Sequence, residues 1–289
     1  MTDTALSTFQ LGGDLPVARL GFGAMRLAQD GMNPRNEPRD PAVARDVLRR
    51  AVELGVNHID TAEFYRSPDG STGANDLIRE ALHPYPADLV IATKIGPVFC
   101  AGQFGQATAA DMRELVEANL VALGVDRLDL VYLRIGMMAP PHGESLAERY
   151  EALAALQEEG LIRHLGLSNV DDAHLTEAQH IAPVAAIQNL FHPESADERA
   201  LLRRTTDEGI AFVPFGPLGS GQAGRQDDAY AEIATRYDAT VPQVALAHVL
   251  ALAPNTLAIP GTGSIGHVEE NVAAGSLTLA PADLSQLGV

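Results

Sequence analysis

The feature that most constrains the fold of this chain is an alternation. Eight short apolar runs, at 20–25, 56–61, 89–94, 128–134, 162–168, 185–189, 210–215 and 256–261, are separated by turns and by stretches of helical periodicity. Strands that alternate with helices pair in parallel, because the helix returns the chain to the start of the next strand. The stretch PAVARDVLRRAVELG (41–55) sets Val43, Val47, Leu48 and Ala51 on one helical face. The stretches 109–124 and 145–160 both end in Gly, a usual helix stop, and Thr108 with Asp111 spells a capping box with Asp in place of Glu. Eight such units within 289 residues match an α/β fold of one domain, 1–289, closed as a (β/α)8 TIM barrel. A doubly wound sheet would want Gly-x-Gly-x-x-Gly after its first strand, and Gly21-Phe22-Gly23 followed by Ala24 and Met25 does not supply it. Ahead of the first run, STFQLGGDLPVARL puts a Gly-Gly-Asp turn between short apolar runs, which predicts a short N-terminal β-hairpin plugging the barrel bottom.

Composition narrows the function class. The net charge of −18 makes nucleic acid and anionic membrane poor partners. No run reaches the roughly 18 apolar residues of a membrane helix, and the first residues lack the basic end and apolar core of a signal peptide. One cysteine, Cys100, excludes an internal disulfide and fits a reducing compartment, so a cytoplasmic location is expected.

Residues at the C-terminal ends of barrel strands face the active site. Those ends read Asp60, then Tyr65 in the following loop, Lys94, Arg134, Ser168 with Asn169, and Gln188. Lys94 is the one lysine among 20 cationic residues. In an Ala- and Arg-rich chain a surface lysine is free to become Arg, so this retained one has a task that Arg cannot do. A compact ammonium beside Tyr65 favours the tyrosinate, whereas Arg is a wide planar fork. Asp60 can keep that ammonium charged, and Tyr65 can then give a proton to a carbonyl oxygen while hydride reaches the carbon. Taken singly, each residue has a plainer reading: an N-cap for Asp60, packing for Tyr65, a snorkelling surface cation for Lys94. His58, two residues before Asp60 on the same strand face, reads as a core histidine.

The segments GVNHIDTAEFY (55–65), ATKIG (92–96), LGLSN (165–169), IQN (187–189), PFGPLGSG (214–221) and IPGTGSIGHVEEN (259–271) run in order over nearly the whole chain and resemble the aldo-keto reductases. The resemblance is nearest to the branch that holds the bacterial pyridoxal reductases. It implies that Tyr65 is the general acid, Lys94 the cation that assists it and Asp60 the partner of Lys94. It implies further that Ser168, Asn169 and Gln188 bind the nicotinamide carboxamide and that Phe215 stacks on the ring. Gly216, Pro217, Leu218, Gly219 and Gly221 match the loop beside the pyrophosphate. Gly261, Thr262, Gly263, Ser264, His267, Glu270 and Asn271 match the adenosine-phosphate site. Gly23 and Met25, at the end of the first run, complete the expected cofactor set. A Gly-rich turn into a helix N-terminus is also an anion site on physical grounds, although read alone the 261–271 segment is only a capped helix start.

Two departures from the family pattern matter. Most members carry His at the end of the fourth barrel strand, where this chain has Arg134. A guanidinium does not shuttle protons at neutral pH but can polarise a carbonyl oxygen, and that role is expected of Arg134, against a structural ion pair with Asp60 or Glu63. Many members that use NADPH also place Lys or Arg around its 2′-phosphate, and residues 261–271 contain neither. NADPH is the expected cofactor, with NADH possible. The loops 96–107 and 137–145 carry Phe99, Phe104, Met137 and Met138, which suit either a pocket wall or packing, and His142 lies in the second. No long C-terminal tail is expected to narrow the pocket. The predicted activity is reduction of a small-molecule aldehyde or ketone, pyridoxal being the sharpest candidate, with oligomeric state unread. The alternatives are a lyase with Lys94 as Schiff-base nucleophile and a non-catalytic NADP(H)-binding regulatory protein.

Overall fold

The computed structural model describes residues 6–29, 39–100, 103–136, 143–191, 196–216 and 228–288. A hairpin of β1 (Thr8–Leu11) and β2 (Leu15–Ala18) leads into β3 (Phe22–Gly23), α1 (Pro41–Glu53), β4 (His58–Asp60), α2 (Ala74–Leu82) and β5 (Val90–Ile95). A second hairpin, β6 (Pro97–Cys100) and β7 (Gln103–Gln106), precedes α3 (Met112–Leu123), β8 (Leu128–Arg134), α4 (Ala147–Glu158), β9 (Ile162–Ser168), α5 (Asp172–Gln179) and β10 (Ala186–Leu190). The chain ends with α6 (Ala196–Asp207), β11 (Ala211–Phe215), α7 (Asp228–Arg236), α8 (Val241–Ala251), α9 (Ile265–Ala274) and α10 (Pro281–Gln286).

Strands β3, β4, β5, β8, β9, β10 and β11 form one parallel sheet in that order. The eighth run closes it. Leu257 N–H donates to Phe212 O at 2.9 Å on one side, and Gly21 N–H donates to Ala258 O at 2.8 Å on the other. The run makes isolated parallel bridges, Phe212 with Thr256 and Leu20 with Ala258, instead of the regular strand its apolarity predicts. It is short, and Pro260 has no N–H to extend a ladder.

Period-two alternation sorts the strand residues into two cores. Val90, Ala92, Leu130, Tyr132, Ala186, Val213 and Leu257 fill the barrel interior with Leu11, Leu15 and Val17 of the hairpin, so β1–β2 plugs the barrel as predicted. Ile91, Val131, Leu133, Leu165, Leu167 and Ile187 pack outward against the helices. Gly12 and Gly13 turn the hairpin with φ of +60° and +86°. Thr108 and Asp111 form the capping box, and Gly124 ends α3 at φ +68°. One helical face shifts: α1 buries Ala44, Val47, Leu48 and Ala51, whereas Val43 is 45% exposed. The buried stripe follows the helix's phase against the sheet, and Val43 falls outside it. Residues 96–107, read from sequence as a loop, include the β6–β7 hairpin.

Two large rings occupy the interior beneath the mouth. A Cβ on Gly21 would lie 2.7 Å from His58 Nδ1, and one on Gly166 would lie 2.8 Å from Tyr132 Cδ1, so these glycines make room for the rings. His58 is fully buried, and neither ring nitrogen hydrogen-bonds a described residue. Burial lowers its pKa from 6.5 to about 4, against the pull of Asp60 and with the push of Lys94. The unfolded chain therefore takes up a proton near pH 6.5 that the folded chain refuses until about pH 4. Stability from this residue is complete above that window and falls by about 3 kcal/mol as pH drops through it. Urea unfolding at pH 7 and pH 4.5 is expected to show that His58→Leu keeps its neutral-pH stability and loses much less than the wild type on acidification.

Candidate active site

β4 and β5 pair in parallel with Asp60 opposite Ala92, which places Lys94 one inward step higher at the mouth. Lys94 Nζ donates to Asp60 Oδ1 at 2.5 Å and to Thr61 O at 3.0 Å. Each of the two charged residues is only 3% exposed. The second carboxylate oxygen accepts from Gln188 Nε2 at 2.7 Å, across the barrel from β10. Behind the strands, Thr61 Oγ1 donates to Asn75, Asn75 Nδ2 to Asn119, and Thr93 Oγ1 to Asn119, over 2.7–3.0 Å. This buried chain ties the ends of β4 and β5 to α2 and α3. Burial pulls the Lys94 pKa down, but Asp60 and Tyr65 outweigh it and raise the pKa above the usual lysine value. A Schiff-base nucleophile must be a neutral amine, so this environment opposes the lyase alternative.

Tyr65 stands over this pair, its ring centroid 4.9 Å from Lys94 Nζ. Its backbone is held from both sides, by Tyr65 N–H to Ala62 O at 3.1 Å and Ala74 N–H to Tyr65 O at 2.8 Å, and Phe64 meets the ring edge-on. Arg134 ends β8 beside them. Its Nη1 donates to Ser168 Oγ at 3.0 Å, and its guanidinium carbon lies 4.9 Å from the Phe215 ring centroid. Burial lowers its pKa, while the charges of Tyr65 and Asp60 pull it back. Glu63 pairs with Arg66. Gly96, directly after β5 at φ +133°, lets the backbone pass Arg134, since a Cβ there would collide with Arg134 O.

The residues expected to hold a nicotinamide converge on this mouth but are also bound to one another. Ser168 accepts from Arg134, and Asn169 Nδ2 donates to Ile135 O at 2.7 Å from a left-handed backbone at φ +63°. Asn tolerates that conformation better than most residues. Gln188 gives its amide N–H to Asp60, while its Oε1 is buried without a partner among the described residues. Phe215 ends β11 and Gly216 (φ +63°) follows it, while Pro217, Leu218, Gly219 and Gly221 lie outside the described residues, as do Met137, Met138 and His142. Gly23 and Gly261 meet back to back at the barrel seam: a Cβ on Gly261 would lie 2.5 Å from Gly23 O. Met25 sits in the 3-10 turn after Gly23. Thr262, Gly263 and Ser264 enter α9, with His267 and Glu270 exposed and Asn271 buried along it. His267 Nδ1 lies 3.4 Å from Thr262 Oγ1.

Sequence reasoning missed three parts of this site. Tyr132 lies under it, fully buried, its pKa pushed far up by burial and by the charge of Asp60, against a smaller opposing effect of the Gln188 amide. Gln188 as a hold on Asp60 and Thr61 O as a hold on Lys94 were also missed. The signal for Tyr132 was present, a polar aromatic two residues before Arg134 and hence on its face. The other two depend on contacts across the barrel that no local pattern encodes.

A closed parallel barrel whose mouth sets a buried Lys–Asp pair against a tyrosine ring has the construction of a barrel oxidoreductase. Residues 19–288 match the Aldo/keto reductase family, and the chain belongs to it. It is an oxidoreductase acting on CH–OH groups. Its sequence is 43% identical to pyridoxine 4-dehydrogenase of Escherichia coli over 294 residues, covering 97% of each chain. An aldo-keto reductase from Klebsiella pneumoniae in complex with NADPH is 29% identical and superposes with a TM-score of 0.78, over 98% of this chain and 94% of that one. A thermostable aldo-keto reductase bound to the inhibitor epalrestat superposes at 0.81 with 27% identity, covering 98% of both.

The buried pair generates a stability prediction. Removing one partner strands the other charge in the barrel, at a cost of about 3–5 kcal/mol. Lys94→Met is expected to lower the urea-unfolding free energy by that amount at pH 7, and adding Asp60→Asn to recover most of it. An unchanged midpoint in the single variant would contradict the geometry.

Proposed function

We propose that this protein reduces aldehydes and ketones with NADPH, that Tyr65 donates the proton, and that pyridoxal is a substrate. The observation that carries the reading is Lys94 Nζ, bonded to Asp60 and set 4.9 Å from the Tyr65 ring. The mouth suits a nicotinamide nucleotide: Gln188 Oε1 is a buried acceptor without a partner among the described residues, suited to a carboxamide N–H, and Phe215 presents a ring against Arg134. When bound, that nucleotide supplies hydride to the carbonyl carbon. The protein's part is the other half of the reaction. Tyr65 Oη gives its proton to the carbonyl oxygen, and the Lys94 ammonium stabilises the negative charge left on the phenolic oxygen. Asp60, fixed by Gln188, holds the ammonium in place and charged. Arg134, held by Ser168 and Phe215, polarises and orients the carbonyl oxygen. Pyridoxal is named because of the similarity to pyridoxine 4-dehydrogenase.

Loss of reduced-nicotinamide absorbance against a panel of aldehydes that includes pyridoxal tests the activity. Tyr65→Phe is expected to lower kcat by about 10²–10⁴-fold, the usual worth of a positioned acid, while the Kd for NADPH stays at the wild-type value. Near-normal turnover in that variant refutes Tyr65 as the donor. Lys94→Arg is expected to be similarly slow, because the fork cannot take the place of a point charge against both Asp60 and Thr61 O. Turnover of other aldehydes without pyridoxal would remove the named substrate and leave the mechanism standing.

A further inference from the structure

The turn into α9 carries no cation of its own, since residues 261–271 contain neither Lys nor Arg. The fold brings one from the other end of the chain. Arg39 is anchored by its backbone N–H, which donates to Ala28 O at 2.9 Å. The next residue, Asp40, caps α1 by accepting from Ala42 N–H at 2.8 Å, and Pro41 starts the helix. From this fixed base the half-buried Arg39 side chain reaches Gly263. A Cβ on Gly263 would overlap the guanidinium Cζ and Nη1 and lie 2.7 Å from Nε, so the guanidinium occupies the space that a side chain at 263 would fill. The same turn leads into the start of α9. Ser264 N–H is taken by Thr262 Oγ1 at 3.1 Å, Ser264 caps the helix with no side-chain hydrogen bond, and the intrahelical ladder begins at Val268. Residues 265–267 of the first turn are exposed, and N–H groups of a first helical turn have no intrahelical acceptor. Arg50 of α1 pairs with Glu269 of α9 at 2.7 Å, which ties the two helices together.

We propose that Arg39 is the residue that reads the 2′-phosphate of NADPH and so sets the preference for NADPH over NADH. This rests on the nicotinamide-cofactor reading above and names the specificity residue within it. A phosphate monoester carries close to two negative charges and three acceptor oxygens, which a planar guanidinium meets with paired N–H groups. The open helix N-terminus beside it adds backbone donors and a favourable dipole. The 2′-hydroxyl of NADH has no charge, so it gains little from the same group. Gly263 belongs to the arrangement, because any larger residue would push the guanidinium off the turn.

The test is direct binding by isothermal titration calorimetry, because the chain has no Trp to report by quenching. The ligands are NADPH, NADH, adenosine 2′,5′-bisphosphate and ADP. Arg39→Ala is expected to weaken NADPH and the bisphosphate by about 10- to 100-fold, the worth of a charged hydrogen-bonding group. Binding of NADH and ADP should stay within about twofold, which also shows that the variant is folded. Arg39→Lys should restore part of the loss, and Gly263→Ala should reproduce it by displacing the guanidinium. Equal wild-type affinity for NADPH and NADH, or equal loss for both in Arg39→Ala, overturns the proposal and leaves the nicotinamide reading intact. If Arg39→Ala binds no ligand at all, Gly263→Ala and Arg39→Lys decide in the same terms. Failure of the wild type to bind either dinucleotide overturns the cofactor reading itself.

Discussion

The buried pair of Lys94 and Asp60 is the constraint around which the mouth of this barrel is organised. Two charges withdrawn from water cost more than their mutual attraction returns unless their remaining hydrogen-bonding capacity is met. Here it is met from several directions: Thr61 O takes a second ammonium proton, and Gln188 Nε2 serves the second carboxylate oxygen. Each of these partners requires the parallel register of β4 against β5 and the closure that brings β10 across the lumen. The Thr61–Asn75–Asn119–Thr93 network then fixes the strand ends from behind. A barrel that slipped its register by one residue would bury these charges against apolar walls. The chemistry proposed for Tyr65 and the specificity of the fold therefore draw on the same contacts.

The two ends of the proposed cofactor site are built on different physical principles. At the mouth, the side chains are preorganised by one another: Arg134 against Ser168 and Phe215, Asn169 on Ile135 O, Gln188 on Asp60. Little reorganisation is needed when charge develops there, which is what makes such sites effective. At the outer end the elements are backbone: the close approach of Gly23 and Gly261, the Gly263 turn and the exposed start of α9. In the proposed reading that end admits the phosphate, and an arginine arriving from beside α1 discriminates.

Much of this was legible in the residues. The alternation of eight apolar runs is sufficient for a parallel barrel, because few topologies bury so many short strands on both faces. The Gly12–Gly13 hairpin, the Thr108–Asp111 capping box and the Gly124 stop are local devices with local signatures, and they stand where they were read. The single lysine in an arginine-rich chain pointed to Lys94 before any contact was known. Where local reading failed, the cause was tertiary. The face of α1 turned away from Val43 because its phase is set by the sheet, and the eighth run closes the barrel through bridges instead of a strand because Pro260 cannot donate.

The sequence alone determined the barrel, its plug, and the identities of the residues at the strand ends, because period, turn chemistry and residue type act over a few neighbours. Only the tertiary structure decided how those residues are partnered. It gave Gln188 to Asp60, set Tyr132 and His58 into the space left by Gly166 and Gly21, and laid Arg39 across Gly263. These contacts join segments far apart in the chain, and their energies depend on distances that only barrel closure sets. A count of cations along 261–271 finds none, whereas the folded molecule places one there.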